Sequence, residues 1–168
     1  PTELHELIKE KNKENNKSRV VAGYCWDWVS KKDRNKYDIT FPKFGFQAEW
    51  NLESQGGEWI IKEGSIEQVG CIHTSQGLEL DYVGVIIGPD LTVSGHELVT
   101  DPSSRAKTDR SLHGYKKEFK VNPEEATRKA DELIRNTYRT LMSRGMKGCY
   151  VYFTDPVTAD YFKRRLPA

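Results

Sequence analysis

No apolar run in this chain approaches the length of a membrane span, and the N-terminus lacks the hydrophobic stretch of a secretory signal. A spanning or exported protein is therefore not expected, and a cytoplasmic location is. No Gly-x-x-x-x-Gly-Lys-(Ser/Thr) stretch occurs, so the loop that cradles nucleotide phosphates is missing. No strand-borne acidic pair suggests a Mg²⁺ site, and no internal repeat is visible. Only three cysteines occur, Cys25, Cys71 and Cys149, far apart and without a Cys-x-x-Cys pairing. That number and spacing argue against a disulfide or zinc framework and for buried free thiols in a reducing compartment. The net charge is only +1, so any basic surface for nucleic acid must be local.

What the chain does contain is one domain's worth of sequence, 168 residues with 30% charged and 36% apolar side chains. Residues 4–15 open with Leu4, Leu7 and Ile8 at helical spacing and then turn polar, which predicts an amphipathic helix that frays. Strands are expected at 19–24, 70–74, 82–87 and 149–153, the third apolar enough for a parallel strand covered on both faces. Residues 37–61 read as short strands or irregular segments with a turn at Gly56-Gly57. Asn122-Pro123-Glu124-Glu125 is a helix start, with a cap, a proline at the first position and an acid three residues after the cap. Asp155-Pro156 starts a last helix. The polar stretch 92–122 reads as an insertion or a partly ordered loop, and its Arg105, Lys107, Arg110, Lys116, Lys117 and Lys120 face either phosphates or water.

Two stretches carry the chemistry. Residues 70–88 place the polar turn His73-Thr74-Ser75-Gln76-Gly77-Leu78-Glu79 between two apolar segments. Residues 136–153 bring the end of a helix, Leu141-Met142-Ser143-Arg144-Gly145, into another apolar segment. The first resembles motif V of superfamily 1 helicases and the second their motif VI. With Val20-Val21-Ala22-Gly23-Tyr24-Cys25-Trp26-Asp27-Trp28 upstream, the sequence is similar to the Schlafen-type DNA/RNA helicase domain family, a family of bacterial proteins. The similarity runs from about Arg19 to Pro156.

The resemblance implies an α/β fold, a three-layer RecA-like (P-loop NTPase-like) domain with a mostly parallel central sheet, lacking its own Walker A loop. It implies the C-terminal half of an ATP-dependent helicase or translocase, with residues 1–168 as a single domain. Arg144 would reach the γ-phosphate, while Gln76, Gly77 and Glu79 would meet the nucleotide. His73, Thr74 and Ser75 would lie on the nucleic-acid side. Trp26 would add a stacking face, worth roughly 1–3 kcal/mol per base, unless Trp26 and Trp28 fill the corner between sheet and helix. ATP and Mg²⁺ would be held mainly by an upstream P-loop domain of the same polypeptide, and DNA or RNA would be the other partner. A chain opening on a polar helix with no earlier motif reads as a piece of a longer protein, inactive by itself.

Each of these residues has a plainer reading: Arg144 as a surface arginine after a helix, Glu79 as a turn cap, His73 as a strand-end histidine. Two other functions compete. One is a non-catalytic nucleic-acid-binding or interaction module of the same fold. The other is a metal nuclease using Glu79, Asp81 and an acid elsewhere, which lacks the lysine expected to follow the pair. Gly145 stands where many motif VI sequences have alanine, and for a motif IV arginine the candidates are Arg19 and Arg34.

Overall fold

The central apolar strands are buried along nearly their whole length, at every residue of 18–22 and of 83–87, and that continuous burial explains the layers. A computed structural model describes residues 1–51, 58–75 and 77–166. Gln76 and the Gly56-Gly57 turn lie outside the described residues. The chain runs α1 (Thr2–Asn12), β1 (Ser18–Ala22), β2 (Ile39–Phe41), β3 (Phe46–Trp50), β4 (Gln68–Gly70), α2 (Ile72–Ser75) and β5 (Leu80–Ile87). It continues through β6 (Leu91–Ser94), β7 (Glu97–Thr100), α3 (Tyr115–Val121), α4 (Pro123–Met142), β8 (Gly145–Phe153) and α5 (Pro156–Lys163).

Six strands form one sheet in the order β2-β3-β4-β1-β5-β8, and β6 with β7 form a separate hairpin. All pairings in the large sheet are parallel except β2 with β3. Successive side chains of a strand point to opposite faces. Val20, Ala22 and Ile86 therefore enter one core with Leu4 and Ile8 of α1, and Val21, Val83, Val85 and Ile87 enter the other with Ile134, Tyr138 and Leu141 of α4. Helices thus cover both faces of a mostly parallel sheet. The crossing of α1 is close: a Cβ on Gly84 would lie 2.8 Å from Ile8 Cγ1.

Local chemistry shifts several boundaries. In α1 the buried residues are Leu4, His5 and Ile8, while Leu7 is 37% exposed. The strand expected at 70–74 ends at Gly70, and residues 72–75 close a helical turn. There Thr74 Oγ1 accepts from the Cys71 amide at 2.8 Å, and the Ser75 amide donates to the Cys71 carbonyl at 3.0 Å. Such side-chain bonds back onto the main chain compete with a sheet ladder. The last strand begins at Gly145 rather than Cys149, because its register with β5 shifts between Leu80 and Tyr82 and the two glycines accommodate the bulge. The helix starts follow the sequence: Asn122 Oδ1 accepts from the Glu125 amide at 3.2 Å, and Asp155 Oδ2 from the Thr158 amide at 2.8 Å. Within 92–122 the chain forms β7, most of β6 and α3. The three thiols are free; Cys71 is buried and Cys25 half-buried, whereas Cys149, expected inside, is exposed on edge strand β8.

Candidate functional site: the groove between α2 and α4

Helix α4 has two working faces. Ala126, Ala130, Ile134, Tyr138 and Leu141 are buried. The neighbouring stripe, Lys129, Glu132, Leu133, Asn136, Thr140 and then Arg144, lines a groove of about 670 Å³ whose other wall holds Ile72, His73 and Gly77. Arg144 sits just past the helix, where its amide donates to the Leu141 carbonyl at 3.2 Å and its own carbonyl accepts from the Leu80 amide at 3.0 Å. That bond ties the end of α4 to the first residue of β5. The Arg144 Nε donates to the Thr140 carbonyl at 3.2 Å, and among the described residues the two terminal guanidinium nitrogens meet no partner.

Gly77, with φ +77°, reverses the chain between α2 and β5, a conformation in which a side chain is strained. Arg144 and Gly77 thus flank the amino ends of β8 and β5. Open α/β sheets hold ligands beyond the carboxyl ends of their strands, so the Arg144 end of this groove lies at the opposite end of the sheet.

The groove's other charges are already paired. Lys129 meets Glu118 at 2.6 Å, and Glu132 meets Arg128 at 3.3 Å. The remaining residues singled out from the sequence scatter around it. His73 is exposed and lines the groove. Thr74 and Ser75 turn their hydroxyls onto the main chain: Thr74 Oγ1 donates to the Cys71 carbonyl at 3.0 Å, as does Ser75 Oγ at 2.9 Å. Glu79 is exposed and lies outside the groove lining. Trp26 is half-buried at the carboxyl end of β1, its ring 5.7 Å from Phe41 and 6.5 Å from Trp50, and its carbonyl accepts from Trp50 Nε1. It does not line the groove. Gln76 falls outside the described residues.

Two basic residues take roles other than those read from the sequence. Arg105 is not offered to phosphates: it is buried, 3.0 Å from Asp90 and 2.6 Å from Asp109. Arg19 is fully buried, donating to Asn12 Oδ1 at 2.7 Å, Asn16 Oδ1 at 2.9 Å and Ser65 Oγ. Desolvation lowers its pKa to about 10. It staples α1 and β1 to the turn at Ser65, while Arg34 stays exposed. Asp81, considered for a nuclease site, pairs with Lys147 at 2.7 Å.

Sequence reading missed the stripe on α4 and the buried cluster at its centre. The Tyr138 hydroxyl donates to Asp90 and accepts from the Gly88 amide at 2.9 Å. The stripe was legible in principle, since 129, 132, 133, 136, 140 and 144 repeat at helical spacing beside the apolar face. The Asp90–Arg105–Tyr138 cluster joins residues distant in sequence and left no local signal.

A family profile for "Schlafen group 3, DNA/RNA helicase domain" matches residues 1–155. The chain belongs to that family. Among curated proteins, an uncharacterized protein of Saccharomyces cerevisiae is 27% identical over 156 residues, covering 91% of this chain. This Schlafen-type domain spans about a third of that relative, 33% of its length. The relative is a yeast protein, whereas the resemblance read from the sequence pointed to bacterial ones. No solved structure matches the domain. No helix among the described residues is long and apolar enough to cross a membrane.

Proposed function

We propose that this domain is the C-terminal RecA-like half of an ATP-dependent DNA or RNA helicase or translocase. The observation that carries the reading is Arg144 at one end of the α4 groove, whose two terminal guanidinium nitrogens meet no partner among the described residues and whose carbonyl is bonded to β5. Membership of a helicase-domain family and a parallel sheet covered on both faces support it.

In this reading an upstream P-loop domain of the same polypeptide binds ATP and Mg²⁺, and this domain closes over the nucleotide. Among the described residues no three His, Cys, Asp or Glu side chains gather where a metal ion could sit, and no step here is routed through Mg²⁺. Arg144 meets the γ-phosphate as negative charge spreads over its oxygens. Its planar fork of N–H donors matches a phosphoryl group better than a point charge does. An arginine used in this way raises turnover by about 10³–10⁵, or roughly 4–7 kcal/mol of barrier. Gly77 fixes the turn before β5, Gln76 and Gly77 meet the nucleotide, and the Glu79 carboxylate accepts from a ribose hydroxyl.

The test compares the 168-residue chain with the polypeptide that also carries the P-loop domain. Nucleic-acid-stimulated ATP turnover belongs only to the longer polypeptide. Turnover by the shorter chain above background, in a preparation free of contaminating ATPase, refutes the half-site reading.

A further inference from the structure

We infer that residues 107–117 form a track for single-stranded nucleic acid, continuous with the His73 end of the α4 groove. The inference rests on the nucleic-acid part of the reading above and adds where the strand lies and what holds it.

The backbone of this segment is pinned to the carboxyl end of β1. The Ala106 amide donates to the Tyr24 carbonyl at 2.9 Å, the Lys107 amide to Asp27 Oδ1 at 2.8 Å, and Thr108 Oγ1 to the Tyr24 hydroxyl at 3.2 Å. Arg105, buried between Asp90 and Asp109, anchors it from below. A pinned backbone presents its side chains without first having to be ordered, which lowers the entropy lost on binding.

The charge it presents is one-sided. Residues 105–121 hold six Lys and Arg against two acids, in a chain whose net charge is only +1. Both acids are engaged, Asp109 by Arg105 and Glu118 by Lys129. Lys107, Arg110, Lys116, Lys117 and Lys120 are exposed, and among the described residues no carboxylate pairs with any of them. Lys107, His113, Lys116 and Lys117 surround a cavity of about 530 Å³ that also receives Tyr115. The Tyr115 ring packs 5.7 Å from Phe119, itself 43% exposed.

Cations following a backbone beside an aromatic face are how proteins hold single strands without reading sequence. Continuity supports the same occupant. Leu112 lines this cavity and its neighbour Ser111 lines the His73 groove, so one strand can pass from Lys116 past Ser111 to His73, beside the exposed Arg110. Trp26 stands at the same carboxyl end of β1, one residue before the Asp27 that pins Lys107.

The experiment measures binding of fluorescein-labelled oligothymidine by anisotropy across a salt series, for the wild type, for Arg110→Gln with Lys116→Gln and Lys117→Gln, and for Tyr115→Ala against Tyr115→Phe. The triple variant should bind about tenfold or more weakly at moderate salt, and its log–log salt slope should shrink by about 0.7 for each phosphate no longer neutralised. Tyr115→Ala should lose about tenfold while Tyr115→Phe keeps the affinity. ATP turnover without nucleic acid, in the polypeptide with its P-loop domain, should be unchanged. A wild type that binds while the triple variant keeps its affinity and slope overturns the track and leaves the helicase reading standing. A wild type that does not bind oligothymidine overturns the track, while the ATP-turnover comparison above decides the helicase reading separately. Binding of phosphatidylserine vesicles in preference to the oligonucleotide overturns the choice of ligand.

Discussion

Tyr138 and Asp90 are joined by a buried hydrogen bond in which the phenol donates, and the same oxygen accepts from the Gly88 amide at 2.9 Å. Tyr138 belongs to α4, Gly88 and Asp90 to the turn after β5, so one hydroxyl fixes the arginine-bearing helix against the sheet's carboxyl end. The fit is tight, since a Cβ on Gly23 would lie 2.0 Å from that oxygen. Burial, with the neighbouring Cys25 and Asp90, pushes the phenol's pKa well above its ordinary value, so it remains a donor throughout the working pH range.

Tyr138→Phe removes that oxygen and leaves a buried amide and a buried carboxylate each one partner short. Unsatisfied buried groups cost about 1–3 kcal/mol each. The urea midpoint should fall accordingly with an unchanged m-value. A midpoint equal to wild type would mean the bond contributes nothing to holding α4.

Gly145→Ala tests why this chain departs from the alanine common at that motif position. A Cβ there would sit 2.2 Å from the Gly148 carbonyl oxygen, within the shifted register of β8. Overpacking of this kind costs about 1–3 kcal/mol, and here the obstacle is main chain rather than a yielding side chain. Thermal denaturation should show a clear loss in Tm. An unchanged Tm would show that alanine fits and the glycine is incidental.

Asp155 caps α5. The hydrogen bond from the Thr158 hydroxyl, helped by the amides of Thr158 and Val157, outweighs desolvation and holds its pKa below the ordinary 3.8. A depressed carboxylate contributes stability that is present above the unfolded value and lost as pH falls through the folded one. Asp155→Ala should therefore cost about 1 kcal/mol at neutral pH, and the gap from wild type should close below pH ~4. Denaturant melts at neutral and acid pH read this directly, and a gap independent of pH would contradict the cap.

Much of the layout was legible because it rests on local signals. The Asn122-Pro123 start and the near-continuous apolar run at 82–87 each announced an element. What was not legible depends on partners far along the chain. Thr74 bonds back to Cys71 and turns an expected strand into helix, which composition alone does not distinguish from a polar strand end. Arg105 looked like one basic residue among six until Asp90 and Asp109 enclosed it. Arg144 and Gly77 could be paired in advance only through the motif resemblance, since their spatial meeting is made by the Leu80–Arg144 bond.

The central claim is that Arg144 acts on a phosphoryl group held by another domain of the same polypeptide. The measurement is kcat for nucleic-acid-stimulated ATP hydrolysis by the polypeptide carrying the P-loop domain, as wild type, Arg144→Ala and Arg144→Lys. Folding should be nearly unaffected, because among the described residues the side chain makes only the Thr140 bond and it lies outside the core. Nucleotide binding should weaken modestly, since the interaction is realised mainly in the transition state. Turnover should fall about 10³-fold or more in Arg144→Ala, and lysine should restore little of it. A folded Arg144→Ala protein with wild-type kcat would contradict the account.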